Sequence, residues 1–150
     1  MIKIFSLLFA MLATLSFGGA AFAETFEVRM LNRGEKGPMV FEPDYLEIKP
    51  GDTVKFVPTH KSHNAATIDD MIPDGAKGFK SRINDPFETT FDTVGFYGIK
   101  CSPHLGMGMV MLIKVGEAAV PESYKSVSLP ARAKPRMEAL ISQAENGNTK

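Results

Sequence analysis

The sequence predicts a mainly-β protein: an antiparallel sandwich closed by two C-terminal α-helices. Three observations predict it. Short segments between residues 26 and 115 alternate apolar with polar side chains, the two-residue period of a half-buried strand. Gly and Pro punctuate those segments, most clearly at Pro50-Gly51-Asp52. Beyond Ala133 the apolar spacing becomes helical.

The first residues stand apart from that pattern. Lys3 gives a positive start, Ile4 to Phe17 is mostly apolar, and Ala21-Phe22-Ala23 has the A-x-A form of a cleavage site before polar Glu24. This reads as a secretory signal peptide over 1–23, with a single domain at 24–150. A membrane span needs about 20 consecutive apolar residues, and small and polar residues break this run before it ends. No membrane anchor is expected once the peptide is removed.

The strands follow in order. Phe26, Val28 and Met30 alternate with charged residues. Phe41 to Lys49 is a second extended region, in which Pro43 signals an edge or a bend. Thr53 to Val57 follows, with Val54 and Phe56 on one face. Ile68 to Asp85 is rich in Asp, Gly and Lys and reads as a long surface loop. Phe87, Thr89 and Phe91 alternate again, Phe96 to Lys100 leads into Cys101, and Val110 to Val115 is strongly apolar. In the tail, Pro121 to Ser126 suits a short helix with Pro121 near its first turn. Ala133, Met137, Leu140, Ile141 and Ala144 form one helical stripe that Asn146-Gly147 would end.

Charge excludes one class of partner. Lys and Arg total 17, as do Asp and Glu, so the basic surplus of a nucleic-acid binder is missing. Cysteine raises a question instead. Exported proteins usually pair their cysteines, and this chain has one. Cys101 is therefore inert and buried, linked to another chain, or used chemically.

Its neighbours point to use. Cys101-Ser102-Pro103-His104-Leu105-Gly106-Met107-Gly108-Met109 lies between two apolar strands and offers a thiolate, an imidazole and two thioethers. A loop held at both ends by strands can aim several side chains at one point. His63 stands upstream, after the Val54–Val57 strand. Two His, one Cys and a weak axial Met make the trigonal set that binds copper in both its oxidation states. Taken singly, each residue has a plainer reading: Cys as a small buried hydrophobe, Met as core, His as a surface group. Zinc, the rival metal, makes little use of Met.

With those residues in view, the chain resembles the cupredoxins, and among them the pseudoazurins. The resemblance rests on Glu47 to Phe56, Lys61-Ser62-His63-Asn64, Gly95-Phe96-Tyr97, Cys101 to Met109, and the helical tail, and it covers essentially all of 24–150. It implies a Greek-key cupredoxin sandwich holding one type 1 copper ion, Cu(I)/Cu(II), through His63, Cys101, His104 and Met109. His63 is preferred to His60 because Asn64 follows it, as in the family, which brings an amide toward the sulfur. Met109 is preferred to Met107 because it lies five residues after His104, the pseudoazurin and plastocyanin spacing; the shorter amicyanin loop would select Met107. Pro103 has no N–H to offer the Cys101 sulfur, which leaves Asn64 as the principal donor.

The implied function is single-electron transfer, not catalysis: four protein ligands leave no open coordination position. Electrons would leave through His104, across an apolar patch of Pro103, Leu105 and Met107 with Met39 beside it. Lys61, Lys80 and Lys100 would steer an acidic partner. The family implies a carrier that passes electrons from an upstream donor to a nitrite reductase or another periplasmic reductase in denitrification; the signal peptide implies the periplasm, and nothing in the sequence suggests more than a monomer. The other readings are a copper-trafficking protein, an amicyanin- or plastocyanin-like carrier with a different partner, a copper oxidase or reductase, and a structural sandwich with a free thiol.

Overall fold

The computed structural model describes residues 22–147. The expected signal peptide lies almost wholly at 1–21, outside the described residues. Among the described residues, no helix is long and apolar enough to cross a membrane.

Strand β1, Thr25–Gly34, buries Val28 and Met30 as the alternation requires. The chain turns through Glu35-Lys36 into β2, Gly37–Glu42, antiparallel to β1 with Gly34 opposite Gly37. At Pro43-Asp44 it leaves that sheet. β3, Tyr45–Ile48, lies in the other sheet, so the extended region at 41–49 is two strands and not one. The bend expected at Pro43 is therefore a change of layer. Gly51, at φ 93, turns the chain back into β4, Asp52–Val57. Buried Asp52 fixes this corner by accepting the backbone N–H groups of Glu24 (2.9 Å) and Lys49 (2.7 Å). Those two bonds hold its pKa below the usual carboxylate value.

The short β5 is Ala66–Thr67, β6 is Phe87–Phe91, β7 is Gly95–Lys100 and β8 is Val110–Val115. One sheet has the order β2-β1-β4-β6 and the other β3-β8-β7-β5. The sandwich is not purely antiparallel, as the sequence suggested. β1 pairs parallel with β4, and β3 parallel with β8. Side-chain alternation reports which face of a strand is buried but is blind to the direction of its neighbour, so this feature had no local signal.

The stretch at 68–85 is more than a surface loop. Ile68 and Met71 are buried, the Met71 carbonyl accepts the Gly98 N–H (2.7 Å), and the Ile68 N–H bonds the Gly98 carbonyl (2.8 Å). Phe79 stands at the centre of an aromatic chain, 5.9 Å from Phe56, 5.2 Å from Phe87 and 6.2 Å from Phe91. Its polar composition hid three anchors spaced too irregularly to register as a period.

β8 is buried at all six positions. Met111, Ile113 and Val115 face the space between the sheets, while Val110 and Leu112 face the C-terminal helix. That helix, α1, runs Ala133–Gly147 and buries Ala133, Met137, Leu140, Ile141 and Ala144, the stripe expected. The first of the two expected tail helices is a 3-10 segment, Glu122–Ser126, and not an α-helix. Five residues are too few to repay α-helix nucleation. The segment is anchored by buried Tyr124, whose hydroxyl donates to the Phe96 carbonyl (2.8 Å).

Candidate metal centre

The loop joining β7 to β8 closes upon itself. Ser102–Met107 winds into a 3-10 turn with Pro103 at its start, where a missing N–H costs nothing. Gly108, at φ 92, ends the turn. A Cβ there would lie 2.8 Å from the Arg132 carbonyl oxygen, so conformation and space both require glycine. The Cys101 N–H bonds the Met109 carbonyl (3.1 Å), and the Met109 N–H bonds the His104 carbonyl (3.2 Å). Cys101 and Met109 thus sit side by side at the neck of the loop, both fully buried in the core between the sheets.

His63 arrives from the segment after β4. Ser62, at φ 76, donates its N–H to Asn84 Oδ1 (2.6 Å), and the Asn84 N–H bonds the His63 carbonyl (2.9 Å). The side chain of His63 is fully buried. His63 Nδ1 lies 3.7 Å from Cys101 Sγ and 3.1 Å from His104 Nδ1, and His104 Nδ1 lies 3.5 Å from the sulfur. Three donors at metal bond lengths of about 2.0–2.3 Å around one trigonal ion would stand roughly 3.5–3.7 Å apart. The observed triangle is close to that, and one thiolate with two imidazoles is the chemistry copper takes.

Protonation states suit the arrangement. His63 Nε2 donates to Asn32 Oδ1 (2.8 Å), so this ring carries its proton on Nε2 and turns the Nδ1 lone pair toward the sulfur. Burial, then the charges of His104 and His60, push the His63 pKa down to about 4. The imidazole is therefore neutral and free to ligate near neutral pH. Burial pushes the Cys101 thiol pKa up, against the pull of the Asn64 and His104 backbone N–H groups. A bound cation would outweigh that burial, because a coordinated thiol deprotonates.

Asn64 does more than its expected part. Its Oδ1 accepts the Ser102 N–H (2.7 Å), and its Nδ2 donates to Ser102 Oγ (3.3 Å) and the Ser81 carbonyl (3.1 Å). One buried side chain thus ties the His63 segment to the residue after Cys101. The amide of His104 joins that of Asn64 near the sulfur, a donor the sequence reading left out. Pro103 is exposed.

Sequence reasoning also missed Asn32 and the side chain of His60. His60 is exposed, as expected of a surface residue, but its Nδ1 accepts the Asn32 N–H (3.0 Å). It thereby steadies the residue that orients His63. Asn32 lies on β1, far from His63 in sequence, and no spacing marks the pair.

The candidate surface residues are placed as follows. Met107 is 40% exposed, whereas Met109 is fully buried. Leu105 is half-buried, and Met39, at φ 50, is half-buried against the core cluster that includes Cys101 and Met109. Lys61 and Lys80 are exposed and Lys100 is half-buried. Lys80 and Lys100 pair with Ala66 from opposite sides, and with Leu105 and Ser102 they line one shallow depression.

The comparisons with known proteins agree with this geometry. Residues 28–116 match the family described as copper binding proteins, plastocyanin/azurin family. The chain is 47% identical to the pseudoazurin of Paracoccus pantotrophus, over 92% of this chain and 96% of that one. It is 45% identical to a putative pseudoazurin of Rhizobium leguminosarum bv. viciae, over 93% and 92%. The crystal structure of pseudoazurin from Methylobacterium extorquens AM1 superposes with a TM-score of 0.77 at 43% identity, covering 80% of this chain and 98% of that one.

Proposed function

The chain belongs to the plastocyanin/azurin family of copper-binding proteins, in its pseudoazurin branch, and from that premise we propose how its residues carry electrons. It is a blue-copper electron carrier and not an enzyme. In our reading His63, Cys101 and His104 would hold one copper ion, with Met109 as the fourth, weaker donor. The observation that carries this is the convergence of two imidazole nitrogens and a thiol sulfur within 3.1–3.7 Å, with fully buried Met109 at the neck of the same loop.

The bound ion supplies one-electron chemistry, Cu(I)/Cu(II). The protein's part is to hold still. Asn32 orients His63, Asn64 locks the two ligand segments together, and the loop's own backbone bonds fix Cys101 against Met109. A frame so tied keeps one donor arrangement for both oxidation states, so little has to reorganise when an electron moves. The Asn64 and His104 amides favour negative charge on the sulfur and so bear on the potential. His104, the most exposed of the four, is the electron's way out, past Pro103, Leu105 and Met107.

We assign the carrier to the periplasm, reached by cleavage after Ala23. Lys61, Lys80 and Lys100 steer it to an acidic redox partner, a nitrite reductase or another periplasmic reductase. Such encounters are small and transient, and long-range charge raises their rate.

The visible and EPR spectra of the copper-loaded protein test the ligand set. We expect an intense thiolate-to-copper band, strongly altered in Met109→Ala and unchanged in Met107→Ala. The reverse pattern would move the axial role to Met107. Absence of the band in the parent protein would remove the copper reading altogether.

A further inference from the structure

The C-terminal helix has so far served as a cover for β8. One of its side chains reaches further. Arg136, in the first turns of α1, donates from one terminal guanidinium nitrogen to the Gly108 carbonyl (3.0 Å) and to the Met39 carbonyl (2.8 Å). Its other terminal nitrogen donates to the Pro38 carbonyl (2.9 Å). One guanidinium therefore joins three segments: the helix, the start of β2 and the end of the Cys101–Met109 loop. Gly108 and Met39 both have positive φ, 92 and 50, and for Met39 that conformation is unfavourable unless its surroundings impose it.

The position of the Gly108 carbonyl gives the contact its consequence. It belongs to the peptide unit whose N–H is that of Met109. That N–H bonds inward to the His104 carbonyl (3.2 Å), while the carbonyl bonds outward to Arg136 (3.0 Å). The plane of the peptide before Met109 is thus held from both sides, and with it the direction in which the Met109 side chain leaves the backbone. Arg132 adds a wall, since its carbonyl oxygen would lie 2.8 Å from a Cβ on Gly108. The planar fork of arginine suits three carbonyls in fixed directions, and a lysine ammonium on a flexible stem does not reproduce it.

We propose that Arg136 is a positioning residue of the metal centre: it sets the placement of Met109, and of Met39 beside the site, from the C-terminal helix. This rests on the reading of Met109 as the axial ligand. Removing the fork frees the peptide before Met109 to rotate, so the direction in which the Met109 side chain enters the site would change while the bonds that hold His63, Cys101 and His104 stay in place.

The test compares Arg136→Lys and Arg136→Met with Leu140→Ala, which loosens the buried face of α1 and removes none of the three guanidinium bonds. In the copper-free variants, amide hydrogen exchange at Met109 should speed up at least tenfold in both Arg136 variants, relative to the β8 amides, and not in Leu140→Ala. In the copper-loaded proteins, the relative intensities of the thiolate-to-copper bands and the EPR rhombicity should shift for both Arg136 variants and remain parental in Leu140→Ala. Parental spectra and parental Met109 exchange in the Arg136 variants would overturn the proposal, as would an equal change in Leu140→Ala. If Met109→Ala also leaves the spectrum untouched, the axial assignment fails. If it alone changes the spectrum, the role of Arg136 fails and the assignment stands.

Discussion

Acidifying the copper-free protein should destabilise it through His63. The ring is fully buried, donates from Nε2 to Asn32, and has a pKa lowered from 6.5 to about 4, with burial the largest cause. The unfolded chain therefore takes up a proton on this residue at a pH where the folded chain refuses it. Between those two values the unfolded state binds more protons, so stability falls as pH falls. Relative to neutral pH the loss from this one group is ~2 kcal/mol at pH 5 and ~3 kcal/mol at pH 4. That is a large part of the ~5–15 kcal/mol by which domains are stable. Asp52 acts in a lower window, because its lowered pKa withdraws stability only as pH drops below the ordinary 3.8. Urea unfolding of the copper-free protein at pH 7, 6, 5 and 4.5 would measure the slope. His63→Gln, which cannot titrate, should flatten it, and copper loading should suppress it by occupying Nδ1. An unchanged slope in His63→Gln, or parental stability that is flat from pH 7 to 5, would refute the assignment of this acid sensitivity to His63.

Three further outcomes follow from the site. Asn64→Ala removes the side-chain bonds to Ser102 and Ser81, and should cost about 1–3 kcal/mol in chemical denaturation. Pro103→Ala should raise the reduction potential, read by voltammetry, by adding an N–H near the Cys101 sulfur; an unchanged or lower value would count against that donor. Electron-transfer rates to an acidic redox partner should fall as salt is added, and Lys80→Gln with Lys100→Gln should flatten that dependence, since exposed charges act through screened long-range attraction.

Much of the fold and most of the candidate site could be read along the chain. Val28 and Met30, Val54 and Phe56, and the stripe from Ala133 to Ala144 are buried where periodicity put them. Alternation and helical spacing are local consequences of one buried face, so they survive in sequence. The same holds for Cys101, His104 and Met109, which share one loop whose ends two strands fix. Pairing direction did not show, because β1–β4 and β3–β8 neighbours are chosen by a chain that changes sheets at Pro43. Phe79 and Met71 were hidden in a polar stretch for a related reason: each fills a gap left by residues distant in sequence.

The sequence by itself determined the class of the protein and, for the proposed site, the donor types and the loop that carries three of them. Those depend on residue identity and short spacing, which a chain states directly. Tertiary structure alone decided what surrounds the donors: Asn32 behind His63, His60 behind Asn32, the Asn64 side chain on Ser102, and the Arg136 fork on the loop's last turn. Each is a hydrogen bond between residues 28 to 38 positions apart. Such bonds are directional to within a fraction of an ångström, and only the packed sheets and helix bring those groups within reach.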